Sequence, residues 1–139
     1  MIDFNYETDF ELKSETNYVD WLSRVIVSEN KLIGNLSFIF CSDEYLLDIN
    51  LKYLDHDTFT DIITFDYCIG NEISGDIFIS IDRIKDNADS FNVSFDSELL
   101  KVMAHGVLHL MGYKDKKERD ISVMRNKEDE KTKLFHVEH

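Results

Sequence analysis

Two histidines four residues apart, His105 and His109, sit in the segment His105-Gly106-Val107-Leu108-His109-Leu110-Met111-Gly112-Tyr113-Lys114-Asp115. On a helix this spacing stacks both imidazoles on one face, about 6 Å apart along the axis. They can then meet on one ion at metal–nitrogen distances of about 2.0–2.1 Å. A single histidine in an apolar helix is ordinarily a satisfied core residue, but two neighbouring imidazoles both need polar partners in a dry surround, which brings a metal level with the core reading. Gly112 suits a helix C-terminus that turns the chain back in a left-handed conformation. The first candidate for a third ligand beyond that turn is Asp115.

The pattern His-x3-His-x2-Gly-x2-Asp has the spacing of the metzincin zinc motif, with one difference at the chemistry. The glutamate that serves those peptidases as general base is Gly106 here, which has nothing to accept a proton. The spacing therefore points to a metal-dependent hydrolase and argues against a peptidase of that type. Asp115 also has a plain alternative, as a turn or N-cap acid ahead of a helix starting near residue 117.

The apolar residues Leu99, Leu100, Val102, Met103, Val107, Leu108 and Leu110 predict a deeply packed helix over 96–111 carrying both histidines. Upstream, alternation over residues 2–7 predicts a strand. Tyr18, Trp21, Leu22, Val25 and Ile26 predict a helix over 17–29. Leu36–Cys41 follows as a strand, and Ser42-Asp43-Glu44 opens a helix buried through Leu46, Leu47, Ile49 and Tyr53, because a short oxygen side chain caps free amides and acids suit the positive helix end. Residues 61–68 and 73–80 predict two strands joined as a hairpin through Ile-Gly-Asn-Glu. Helices are expected over 81–90, 96–111 and 117–133. This order predicts an α+β domain with a mixed, mostly four-stranded sheet covered by helices on one face, the metal site lying on a helix and the turn after it.

The 139 residues fit one domain, able to bury a core without a structural metal. Proline is absent and only 5 glycines occur, so nothing marks an internal boundary, and residues 1–139 are expected to form a single unit with a frayed tail from about 134. Cys41 and Cys68 form no C-x-x-C and are expected to be small buried thiols in a reducing compartment. With no basic leader and no long apolar run, a cytoplasmic protein without membrane partners is expected. The net charge of −13 argues against bulk attraction of nucleic acid. Its distribution is uneven: residues 1–100 hold 6 basic and 21 acidic side chains, whereas 114–133 hold 8 basic and 6 acidic. That basic stretch adjoins the histidines. It either contacts a polyanion or is a solvated helix face with pairs such as Arg125 with Asp129 and Asp129 with Lys133.

The string His105 to Tyr113 resembles the His-Gly-x-Leu-His-Leu-x-Gly-Tyr-Asp-His signature of the YbeY endoribonucleases, the ribosomal RNA maturation factors. Thr60-Asp61-Ile62-Ile63-Thr64-Phe65 is similar to that family's Thr-Asp-Val-Leu-Ser-Phe strand, Gly75-Asp76-Ile77-Phe78-Ile79-Ser80 to its Gly-Asp-Ile-x-Ile-Ser strand, and Met124-x-x-x-Glu128 to its closing helix. The blocks keep family order from about residue 45 to 130. The resemblance implies a metal-dependent endoribonuclease acting on single-stranded RNA, in small-subunit ribosomal RNA 3′-end processing and ribosome quality control. It also implies the ribosome or ribosome-associated proteins as partners, and leaves oligomeric state open. His105, His109 and Asp115 would hold one divalent ion, Zn²⁺ first and Mn²⁺ or another ion next, since an oxygen ligand is harder than imidazole. The alternatives are a zincin-like metallopeptidase and a ribosome-associated assembly factor with little catalysis.

Two positions depart from the family pattern. Its third histidine is Asp115 here, preceded by Lys114, and the arginine that would close Asn50-Leu51-Lys52-Tyr53 is Leu54. That arginine is regarded as functional and suited to gripping phosphate, so no general base or phosphate fork is named. Asp61 and Asp76, at strand edges, either accept loop amides or orient an imidazole from behind. Tyr113 either orients substrate or packs its ring, and Lys114 is a candidate substrate contact. His56 is expected in solvent, and His136 and His139 form a loose pair near the C-terminus.

Overall fold

The computed structural model describes residues 1–55 and 60–136, so the expectations for His56 and His139 lie outside the described residues. The chain runs β1 (Ile2–Tyr6), α1 (Glu15–Ser28), β2 (Leu32–Cys41), α2 (Asp43–Leu54), β3 (Ile62–Asp66), β4 (Glu72–Ser80), α3 (Ile81–Phe91), α4 (Phe95–Leu110) and α5 (Glu118–His136). The strands form one sheet in the order β1-β2-β4-β3, in which β1, β2 and β4 are parallel and β3 is antiparallel to β4. This is the α+β class with the mixed four-stranded sheet that the element order predicts. The β3–β4 hairpin closes at Ile69 and Glu72, which exchange backbone hydrogen bonds of 3.2 and 3.0 Å around Gly70 and Asn71.

Strand alternation divides the apolar residues between two faces. Leu36, Phe38 and Phe40 of β2 and Ile73, Ile77 and Ile79 of β4 join the main core with α1, α3 and α4. Cys41, Ile63, Phe65 and Phe78 point the other way and pack with Leu46 and Ile49 of α2. The sheet is therefore covered on both faces, unequally, where cover on one face was expected. The strand preceding α2 is also longer than its apolar run: β2 extends back to Leu32, with a register shift between Ile33 and Leu36. Exposure of Leu32 and Ile33 hides that extension from a pattern built on burial.

Helix α4 lies on the main face, and Gly106 sets how closely. A Cβ there would stand 2.9 Å from Ile62 Cδ1 and 3.1 Å from Ile77 Cγ2, so only a glycine lets the helix settle at this depth. Helix α5 covers α4 from outside and is anchored on α1. Trp21 donates from Nε1 to the carbonyl of Lys131 at 2.7 Å, Arg24 from Nη1 to that of Leu134 at 2.7 Å, and Phe135 meets the Trp21 ring edge-on. Residues 134–136, expected in a frayed tail, thus belong to α5, and Leu134 and Phe135 pack on the core. The solvated-face expectation for α5 is corrected at one residue: Lys131 is 1% exposed. Its ammonium lies 2.7 Å from Glu29 and 2.7 Å from Glu130, which offsets the desolvation of a buried charge.

Candidate metal centre

The turn after α4 places the third candidate ligand. Ser94 caps the start of the helix, accepting from the Ser97 amide at 3.1 Å, and the helix ends in a Schellman arrangement. The Gly112 amide donates to His109 and the Tyr113 amide to Leu108, each at 3.0 Å, with Gly112 at φ +101, a conformation that glycine adopts without steric cost. The chain reverses, and Asp115 returns over the exposed side of both histidines. Behind the turn, the Tyr113 hydroxyl donates to Glu29 Oε1 at 2.5 Å, while Lys127 and Lys131 hold Glu29 Oε2 at 3.1 and 2.7 Å. The Glu29 carboxylate meets opposing effects. Burial disfavours its charge, but hydrogen bonds from Lys131, Tyr113 and Lys127 outweigh that and lower its pKa from 4.5 to about 2. The Tyr113 hydroxyl pins the turn to Glu29 at the end of α1, and the Lys127 ammonium lies 5.7 Å from its ring centroid.

One oxygen of Asp115, Oδ2, lies 3.2 Å from His105 Nε2 and 3.2 Å from His109 Nε2. Two atoms bound to a tetrahedral ion at about 2.0–2.1 Å are separated by roughly 3.3 Å. The two imidazole–carboxylate edges match that spacing, and all three donor atoms fall within 4.8 Å of one another. The donor set, two imidazole nitrogens and one carboxylate oxygen, could therefore hold a divalent metal ion. His105, His109 and Asp115 are 22%, 32% and 36% exposed, so the cluster is reachable from solvent.

Glu128 supports the arrangement from α5. Its Oε2 lies 2.6 Å from His105 Nδ1, a contact in which Nδ1–H donates to the carboxylate, so that Nε2 would be the nitrogen offered to a metal. Burial pulls the His105 pKa down, but the Glu128 hydrogen bond and charge, with Asp115 and Asp61, outweigh it and raise the pKa above the ordinary histidine value. Sequence reasoning missed Glu128 as a functional residue. The available signal was its place four residues after Met124, on the buried stripe of a helix otherwise rich in charge: both residues are buried.

The other sequence candidates divide. Asp61 lines a pocket beside the centre together with Asn87, Glu98, Lys101, His105 and Asp115. Its Oδ2 accepts from Asn87 Nδ2 at 3.4 Å, and burial raises the pKa of both Asp61 and Glu98. Asp76 is not brought to the histidines. It follows Gly75 and precedes Ile77, which face α4, so it points to the opposite face of the sheet and lines a groove with Tyr45, Tyr53, Phe65, Tyr67 and Phe78. An imidazole-orienting role for Asp76 is thereby corrected; Glu128 holds that place. Lys114 lines a second pocket on the His109 side, with Lys116, Lys117 and Asp120. Leu54 ends α2 and is 41% exposed.

A glutamate at position 106 would have no room, since that position faces Ile62 and Ile77 across the helix–sheet contact. Fold and site together define a small α+β protein with two histidines on a glycine-terminated helix, one carboxylate beyond the turn, and a glycine where the zincin motif carries its glutamate. The family profile described as Endoribonuclease YbeY matches residues 3–136. Curated relatives bearing the same description include those of Flavobacterium johnsoniae, 62% identical over 99% of both chains, and Flavobacterium psychrophilum, 61% identical over 99% of this chain and 98% of the relative. That of Bacteroides thetaiotaomicron is 47% identical over 84% of this chain and 83% of its own. The chain belongs to the YbeY endoribonuclease family. A solution structure of the Thermotoga maritima protein TM1509 shares the fold, with a TM-score of 0.67, 24% identity and coverage of 97% of this chain and 89% of that one.

Proposed function

We propose that this chain is a metal-dependent endoribonuclease that cleaves single-stranded RNA during ribosomal RNA maturation, including small-subunit 3′-end processing, and in ribosome quality control. Family membership supports the activity on RNA. The observation that carries the metal assignment is Asp115 Oδ2 standing equidistant from the two Nε2 atoms, at the edge length of a tetrahedral site. Zn²⁺ suits that donor set best, and the carboxylate also admits Mn²⁺. A bound divalent ion supplies a Lewis acid for a phosphoryl oxygen and acidifies a water in the open position. The protein's own residues do the rest. Glu128 fixes the His105 tautomer, the Gly112 turn and Tyr113 hold Asp115 in place, and Asp61, in the adjoining pocket, is the nearest candidate for handling a proton. Lys114 is a substrate contact. The described residues include no helix long and apolar enough to cross a membrane, in keeping with work in the cytoplasm at the ribosome or with ribosome-associated proteins.

The test pits RNA against protein substrates. Purified chain should cleave an unstructured RNA oligonucleotide and leave casein intact. Chelation should abolish cleavage and Zn²⁺ or Mn²⁺ restore it, while the His105→Ala variant should show neither metal binding nor cleavage. Persistent cleavage by a metal-free His105→Ala protein would overturn the assignment.

A further inference from the structure

Two pockets flank the His105–His109–Asp115 cluster, share Asp115, and differ in charge. The pocket on the His105 side carries the carboxylates Asp61 and Glu98 against one lysine, Lys101. The pocket on the His109 side carries Lys114, Lys116 and Lys117 with Asp120. The rest of the chain is strongly acidic, with a net charge of −13. A phosphodiester strand reaching the cluster thus has a carboxylate-lined pocket on one side and a pocket lined by three lysines on the other. Acids elsewhere are screened over about 8–10 Å at physiological salt, so this local difference decides the approach.

We infer that Lys114, Lys116 and Lys117 form a phosphate-binding subsite on the His109 side, which seats the backbone of a single-stranded RNA and sets the direction in which it crosses the cluster. This rests on the nuclease function proposed above. The three side chains come from one short irregular segment, Lys114 to Lys117, immediately around the candidate ligand Asp115. They are exposed, so they keep the freedom to follow a flexible strand, and each acts as a point charge and not as a planar fork. Such contacts give position without reading base identity. With Asp115 engaged by a divalent ion, Asp120 is, among the described residues, the carboxylate left lining the groove against three lysines. The carboxylate-lined pocket opposite is then reserved for water and proton traffic, away from phosphates.

The experiment compares the full-length chain with a Lys114→Gln/Lys116→Gln/Lys117→Gln variant. A charge control, Arg125→Gln/Lys133→Gln, removes exposed cations that do not line the groove. Zn²⁺ affinity, circular dichroism and binding of an unstructured RNA oligonucleotide across a salt series are read for each. The triple variant should keep its fold and Zn²⁺ affinity, bind RNA roughly tenfold more weakly at low salt, and lose about 2 from the slope of log affinity against log salt, since each phosphate contact on a single strand contributes about 0.7. Its KM should rise with kcat little changed. A Lys→Arg triple should restore both slope and KM. Equal slopes for wild type and triple variant, with RNA cleavage intact, would overturn the subsite while leaving the nuclease standing. Equal losses in the triple variant and the control would also overturn it, by showing a bulk charge effect. A wild-type chain that binds Zn²⁺ but neither binds nor cleaves RNA would overturn both.

Discussion

Glu128 Oε2 lies 2.6 Å from His105 Nδ1, which makes the last helix a determinant of the metal centre on the helix before it. The pair is buried on the Glu128 side and joins α5 to α4 at the base of the cluster. Loss of such a partner to a ligating histidine typically lowers metal affinity 10- to 100-fold. The Glu128→Gln variant should fall near the low end of that range, because its amide oxygen still accepts from Nδ1–H, and Glu128→Ala near the high end. Competition titrations with a chromophoric chelator measure both. An unchanged affinity in Glu128→Ala would show that the tautomer is set some other way.

Asp115 brings a negative charge where the family signature has a neutral imidazole, so a metal site that includes it would carry one unit less net positive charge and would acidify water less. The Asp115→His variant should therefore retain metal and move the acid limb of its pH–activity profile to lower pH. Profiles of the two proteins loaded with Zn²⁺ decide this, and superimposable profiles would count against an inner-sphere carboxylate.

The legible parts of this protein were those where one physical demand dominates a stretch of sequence. The apolar stripe of α4, the histidine spacing and the positive φ at Gly112 each follow from local pattern, and so does Ser42 as a cap, which accepts from the Tyr45 amide at 3.2 Å. Glu128 and Lys131 were illegible because their partners, His105 and Glu29, are distant in sequence, and a charged side chain on a charged helix looks solvated until α1 and α4 are packed against it. Asp61 and Asp76 illustrate the same limit. Both were expected at strand edges, yet Asp61 precedes β3 beside the centre, whereas Asp76 lies in the middle of β4, where strand alternation turns it to the face that α2 covers.

Gly106 gives a structural prediction with a functional edge. An added methyl must push Ile62 and Ile77, at 2.9 and 3.1 Å, inside a packed core. Overpacking of this kind costs about 1–3 kcal/mol, offset by about 1 kcal/mol of improved helix propensity in Gly→Ala. Gly106→Ala should thus be destabilised by no more than about 2 kcal/mol in urea unfolding. Gly106→Glu should not fold stably and should gain no peptidase activity, because the added carboxylate is aimed at the sheet.

The Glu29 cluster sets a pH window for the apo-protein. Its folded pKa, about 2 against an ordinary 4.5, is depressed, so its contribution to stability is complete above pH 4.5 and is lost as pH falls from there toward 2. With Glu29 only 14% exposed, that contribution is on the order of 2–3 kcal/mol after screening. Glu29→Gln should be less stable than wild type by this order at pH 7, and the gap should narrow steadily between pH 4.5 and 2.5. Chelated protein keeps metal release at acid pH out of the comparison, and subtracting the two unfolding curves cancels carboxylates common to both. Since Tyr113 donates to Glu29, the same variant loosens the turn that carries Asp115 and should weaken Zn²⁺ binding at pH 7. A stability gap that is flat from pH 7 to pH 2.5 would mean that Glu29 is not held ionised by Lys131, Tyr113 and Lys127.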